Sequence, residues 1–391
     1  MQGRTFLLSK PLLLMKKFLL SLMLLSPLAL FAQLSGSGFY RIQNYKTDRY
    51  FVMVDDSAWL ITTASTQDIN TGAFKLVQPF EERVATNPAS ICYLTKYSNY
   101  QYNVSGQGLD LYARVKALME FRQRSNGTYT IGGTGTVSGI TLTKYLTDSE
   151  FRGDEVPIYT SPGTLDDYCY WWIRPINDKY YFGFRPTIKA SLDGADSLYY
   201  TPFYASFPFA VNSNVKAYYI TEVRDGYAKV KGLTYTVPGA TPVFVECTSE
   251  TATENKVSLT SSTATATGNQ LKGVYFCNDV KESTGHRNVT AYNPNTMRVL
   301  GRAADGRLAF VKSTELAYIP ANTCYLQVPV GSPNVIYVVK DIPSGIETVK
   351  AADVKPVKRG VYTLSGQRLG DTTEGLSKGV YIVNGRKTVV K

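Results

Sequence analysis

The sequence predicts an all-β protein, and three observations carry that expectation. Tyrosine is abundant (29 residues) and threonine is frequent, both of which suit a pleated, half-buried surface. Helical periodicity is scarce along the 391 residues. Gly, Pro, Asn and Asp recur at short intervals, which cuts the chain into short strands and turns.

The first element is an export signal. Residues 1–32 hold Arg4, Lys10, Lys16 and Lys17, no acid, and an apolar run Phe18–Ala32 interrupted by Pro27. A membrane span needs roughly 20 apolar residues. A cleaved secretory signal cut at Ala32/Gln33 is therefore expected, with no stable transmembrane span after cleavage. Met15-Lys16-Lys17-Phe18 is by itself a compact signal start, which makes Met15 the expected initiator.

Residues 37–190 contain an internal repeat. Phe74-Lys75-Leu76-Val77, Phe121-Arg122-Gln123-Arg124 and Trp172-Ile173-Arg174-Pro175 fall 47 and 51 residues apart. The second and third run into Ser125-Asn126-Gly127 and Ile176-Asn177-Asp178, turn signals that precede an aromatic strand. Three strand–turn–strand units of about fifty residues are expected to share one core as a β-trefoil-like domain over 33–198. Trp172, aligned with Phe74 and Phe121, should then be core. Trp171 should face outward, since neighbours on a strand point to opposite faces. The opening FYRIQNYKTDRYFV resembles the first strand pair of ricin-type β-trefoils, with Asp48 in place of the usual turn glycine. The sugar-binding signature Gln-x-Trp is absent and Tyr170-Trp171-Trp172 stands in its place. The resemblance thus implies the fold more than a lectin activity.

From Tyr199 a second texture begins. Val237-Pro238-Gly239-Ala240-Thr241 and Ile319-Pro320-Ala321-Asn322-Thr323 echo each other 82 residues apart, each leading into a buried-looking strand. Ser258–Thr267 reads as an exposed Ser/Thr/Ala loop. Met297–Leu300 with Leu308–Val311 reads as a hairpin. A β-sandwich over 199–340 is expected. The strings VKAYYI and AYIPANTCYLQVP resemble modules of secreted bacterial proteins, a likeness that implies no activity.

Residues 341–391 read as a linker followed by two small hairpins, with strands at Val361–Leu364 and Val380–Val383 and turns at Ser365-Gly366 and Asn384-Gly385. The pattern GVYTLSGQR…LSKGVYIVNGRKTVVK resembles the C-terminal sorting domain of type IX secretion cargo of Bacteroidetes-type proteins. That resemblance implies a partner in the export machinery and a secreted or outer-surface location. The tail is shorter than a full sorting domain, so either part of 320–344 belongs to it or the host uses it otherwise.

Charge excludes one function class. The net charge is +11, but the leader carries four basic residues and residues 345–391 carry nine basic against four acidic. The body between is near neutral, unlike the basic stripe of a nucleic-acid reader. Cys92, Cys169, Cys247, Cys277 and Cys324 are far apart with no CxxC unit, so no metal site is expected and buried thiols are. No cofactor motif is present. His286, the single histidine, lies in the polar stretch Ser283–Asn288 and reads as a loop residue rather than a base.

Carboxylates occur in pairs at Asp55-Asp56, Glu81-Glu82, Asp154-Glu155 and Asp166-Asp167. A glycan hydrolase needs two carboxyls roughly 5–10 Å apart across a cleft; adjacent residues at turns are common for other reasons. No catalytic residue is assigned. The expected function is a non-enzymatic binding or adhesion protein whose partner is an extracellular glycan or a host or surface protein, with Trp59, Trp171, Asp166 and Asp167 as candidate ligand-binding residues. The alternatives are a glycan-degrading hydrolase that uses the paired carboxylates, or a structural matrix component.

Overall fold

The computed structural model describes residues 34, 36–53, 61–64, 80, 82–110, 119–137, 140–148, 158–160, 164–277, 289–342 and 360–391. The expected secretory leader and its expected cleavage position Ala32/Gln33, together with Phe74, Trp59, His286 and most of the expected linker, lie outside them. The chain forms two compact units, Met1–Asp341 and Ile342–Lys391. The described residues are almost entirely strand, and the longest helical piece among them is a single turn, Glu82–Ala85.

The larger unit begins with six antiparallel strands that close into a ring. In ring order they are Gly38–Asn44, Cys92–Lys96, Gln101–Gly106, Met119–Gln123, Tyr129–Val137 and Tyr170–Pro175, the last pairing back onto the first. Each strand turns two alternating residues inward, which is the period-2 rule applied six times. These are Tyr40 and Ile42, Cys92 and Leu94, Tyr102 and Val104, Met119 and Phe121, Tyr129 and Ile131, and Trp171 and Ile173. Further strands extend the ring: Tyr50–Met53 with Ile61–Ala64, Leu109–Asp110, and Ile140–Thr147 with Ile158–Thr160.

This register reverses the expectation for the two tryptophans. Trp171 is fully buried opposite Tyr129 and donates its indole N–H to the Leu146 carbonyl at 3.0 Å. Trp172 lies on the outer side, with the Arg174 guanidinium 4.6 Å from its ring. The physical reason is parity. An offset of 51 from Phe121 lands on the outward face of an alternating strand, whereas 50 and 52 reach the inward residues Trp171 and Ile173.

The expected boundary at 198/199 is also corrected. The chain leaves the ring at Pro175. Phe182–Gly183 already pairs with Lys256–Val257, and Ile188–Ser191 and Ser197–Phe203 form a hairpin inside the second sheet. That sheet has ten strands, antiparallel except where Tyr227–Leu233 runs beside Val335–Val339. The Ser191 N–H reaches the Gly306 carbonyl at 3.1 Å, so the sheet curls back on itself around a core that includes Tyr200, Phe244, Leu308, Phe310 and Leu326.

Ser197–Phe203, Val215–Arg224 and Val243–Cys247 are buried on their other face as well. There Phe182, Phe184, Phe203, Phe207 and Phe209 pack together, with ring centroids 4.9 Å apart for Phe184–Phe203 and 5.1 Å for Phe182–Phe207. Ile91 from the ring belongs to the same core, and Phe39 packs against it. This shared core joins ring and sheet. A reciprocal amide pair adds to it: Gln107 Nε2 donates to Asn322 Oδ1 at 2.9 Å, and Asn322 Nδ2 donates to Gln107 Oε1 at 3.0 Å.

The small unit is a four-stranded antiparallel sheet in the order Arg368–Gly370, Val361–Tyr362, Gly379–Val383, Arg386–Val390. Asn384 and Gly385 both take positive φ, 47° and 80°, as a two-residue hairpin turn requires. The two hairpins read from the sequence are present. Val361 alone among its described residues is a buried apolar side chain.

Candidate functional site

The strand Cys92–Lys96 sends Cys92 and Leu94 into the ring, so Tyr93 must point out; it is 37% exposed. Phe39 is its cross-strand partner and the two rings sit 4.8 Å apart, tilted by 59°. Ser105 is opposite Tyr93 on the other side. Facing them from the segments that follow the strands Ser197–Phe203 and Lys256–Val257 are Ser206, Phe207, Pro208, Thr260 and Ser261. Together they enclose a cleft of about 440 Å3. Gly106 also lines it, and no side chain fits there, since a Cβ would meet Met53 Sδ at 2.6 Å and the Ile91 carbonyl at 3.2 Å.

The cleft's chemistry is aromatic and hydroxylic. Ser206 Oγ accepts the Gln107 backbone N–H at 2.9 Å, which fixes the oxygen and leaves the hydroxyl proton to donate. Phenol, hydroxyls and backbone groups can orient a ligand, and the exposed ring can stack on one. None of the described lining residues carries a carboxylate, imidazole, amine or guanidinium. Such a lining offers no group that moves a proton near neutral pH. What the arrangement can do is bind an uncharged, hydroxyl-bearing molecule.

Several buried charged groups elsewhere in the larger unit are already matched. Arg41 is wholly buried and donates to Ser90 Oγ at 2.9 Å and to the carbonyls of Tyr180, Tyr181, Val84 and Ala85 at 2.7–3.3 Å. Asp148 is held by Arg49 and by the Thr47 hydroxyl at 2.6 Å. Glu246 accepts from Tyr200 at 3.0 Å and from Lys216 at 3.0 Å. Burial first, and the Glu246 charge second, push the Tyr200 phenol up and that of Tyr218 up to about 12. On the outer face of the ring, Arg174 covers Trp172 at 4.6 Å and Arg124 covers Tyr170 at 3.4 Å, so those aromatic faces are taken.

The residues expected to bind ligand do not assemble a site. Trp171 is in the core, and Trp59 is outside the described residues. Asp166 caps the short helical turn Asp167–Cys169, accepting the Tyr168 N–H at 3.1 Å; Asp167 is exposed in that turn. Neither lines the cleft. Of the other paired carboxylates only Glu82 is described. It accepts the Ala252 N–H at 3.2 Å and lies 3.7 Å from Arg185. Among the described residues no group of three or more His, Cys, Asp or Glu is placed to hold a metal, and no helix is long and apolar enough to cross a membrane. Cys92, Cys169, Cys247 and Cys324 are buried thiols, as expected.

The cleft residues Phe39, Tyr93, Ser206 and Thr260 were not singled out from the sequence. A signal for Tyr93 existed, because the alternation in Cys92-Tyr93-Leu94 puts the tyrosine on the face opposite two apolar residues. Nothing local could show that Ser206 and Thr260 come to face it. No family model matches the chain, and no curated protein or solved structure matches it either.

Proposed function

We propose that the protein is an exported, non-enzymatic binding protein of the cell surface, and that the cleft between ring and second sheet takes a neutral, hydroxylated ligand of the glycan class. The observation that carries this reading is the lining itself: an exposed tyrosine on a phenylalanine, a rim of Ser and Thr hydroxyls, and no acidic or basic side chain among the described lining residues. The closed six-stranded ring with its added strand pairs agrees with the trefoil reading of the three-part repeat, and the rolled sheet with the sandwich reading. Leader and tail supply the addressing in this view: residues 1–32 direct export, and the C-terminal hairpins engage the sorting machinery.

The test is a glycan array probed with the chain from Gln33 to Lys391, followed by the variants Tyr93→Ala and Ser206→Ala. Loss of the stacking ring should weaken a retained glycan by about tenfold or more, equivalent to ~1.4 kcal/mol. Binding that ignores both substitutions, or no retained glycan at all, would remove the cleft from consideration.

A further inference from the structure

A second groove opens beside the first. It encloses about 590 Å3 and is lined by Tyr219, Lys231, Thr234, Tyr235 and Thr236 and, from a later segment, by Ser261, Thr263 and Thr265. Ser261 belongs to both linings, so the two concavities meet there.

The segment between them is pinned on one side. The Ser258 carbonyl accepts the Ala210 N–H at 2.9 Å, the Thr260 N–H reaches the Pro208 carbonyl at 3.3 Å, and the Ser262 and Thr236 hydroxyls lie 2.7 Å apart. Ser262 and Ala264 are half-buried, while Ser261, Thr263 and Thr265 are exposed. The alternation leaves a row of outward hydroxyls at strand spacing. Tyr235 lines the second groove, 81% exposed, with its backbone carbonyl held by the Val211 N–H at 3.0 Å. Tyr93 lines the first. Among the described residues lining both grooves, the one ionic side chain is Lys231.

We infer that the two grooves form one continuous tract for a linear, uncharged polysaccharide, with Tyr93 in the first and Tyr235 in the second as stacking platforms and the exposed hydroxyls of Ser261, Thr263 and Thr265 along it. The inference rests on the reading of the cleft as a glycan site. A sugar chain offers what this path complements: apolar ring faces for the tyrosines and repeated hydroxyls for the row along it. A single lysine gives no selection for a polyanion.

The experiment is calorimetric titration of the protein with neutral gluco-, xylo-, manno- and N-acetylchito-oligosaccharides, from disaccharides to long oligomers. Affinity in the preferred series should rise with length. Tyr235→Ala should weaken the longest oligomer by about tenfold and leave the disaccharide unchanged, and the junction-blocking Ser261→Trp should weaken the longest oligomer at least as much. Both positions are exposed, and an unchanged thermal melt confirms folding. Equal affinity at every length, or a longest oligomer indifferent to Tyr235→Ala, overturns the tract; a disaccharide still sensitive to Tyr93→Ala would then leave the cleft reading standing. No binding at any length overturns both.

Discussion

Trp171 and Trp172 are adjacent in sequence and opposite in physical role. Trp171→Ala empties a fully buried site and orphans the Leu146 carbonyl, so a loss of about 3–5 kcal/mol is expected by denaturant unfolding. Trp172→Ala removes a half-exposed cation–π contact worth roughly 0.5–1 kcal/mol. Equal costs would contradict the register of that strand. Ala240 and Asn322 occupy matching places in the two Pro-led turns, with φ of 55° and 54°. Asparagine tolerates that conformation and here joins the buried pair with Gln107; alanine has no such compensation. Ala240→Gly should therefore stabilise, by about 0.5–1 kcal/mol once glycine's added unfolded-state entropy is subtracted. Asp48, where the resembling family has glycine, has φ 58°, so the turn keeps the geometry that glycine usually serves.

Elements are tied down by buried polar groups rather than by helices. Arg41 gathers the turn at Val84–Ser90 and the Tyr180–Tyr181 segment with one guanidinium. Arg41→Met would strip donors from several carbonyls at once, and a destabilisation of at least about 3 kcal/mol is expected, with Arg41→Lys recovering little because an ammonium cannot span both segments. The buried strand thiols give a pH dependence. Burial pushes Cys92, Cys247 and Cys324 from the ordinary value of 9.0 up to about 12. The folded chain thus keeps protons that the unfolded chain releases above pH 9.0. The associated stability is complete below that pH and is lost as pH rises towards about 12. Urea midpoints should fall across this window, and less steeply in Cys92→Ala. A flat profile would mean that the thiols are not desolvated as described.

At the scale of the molecule, the division at Asp341/Ile342 makes a direct prediction. A chain ending at Asp341 should melt within roughly 2–4 °C of the full protein, a shift that corresponds to no more than about 1 kcal/mol. In the proposed export route it should collect in the periplasm instead of at the surface. A truncated chain that unfolds would make the hairpins part of the core. One that still reaches the surface would show that they carry no address.

Composition and turn chemistry by themselves determined the all-β class, the C-terminal hairpins with their Asn384-Gly385 turn, the equivalence of the two Pro-led turns and the burial of the thiols. Each is a local property, set by backbone sterics, strand propensity or the cost of hydrating an apolar run. The tertiary structure decided the rest. Whether Trp171 or Trp172 enters the core depends on one residue of register against Tyr129, and an approximate repeat length cannot resolve an odd offset from an even one. The hairpin Ile188–Phe203 joined the second sheet because its strand partner is Val243–Cys247, far away in sequence. The candidate cleft was least legible of all: Tyr93 from the ring, and Ser206 and Thr260 from segments that connect later strands, become neighbours only when Ile91 and the Phe182–Phe209 cluster are buried together, and no local pattern records which surfaces a shared core will bring face to face.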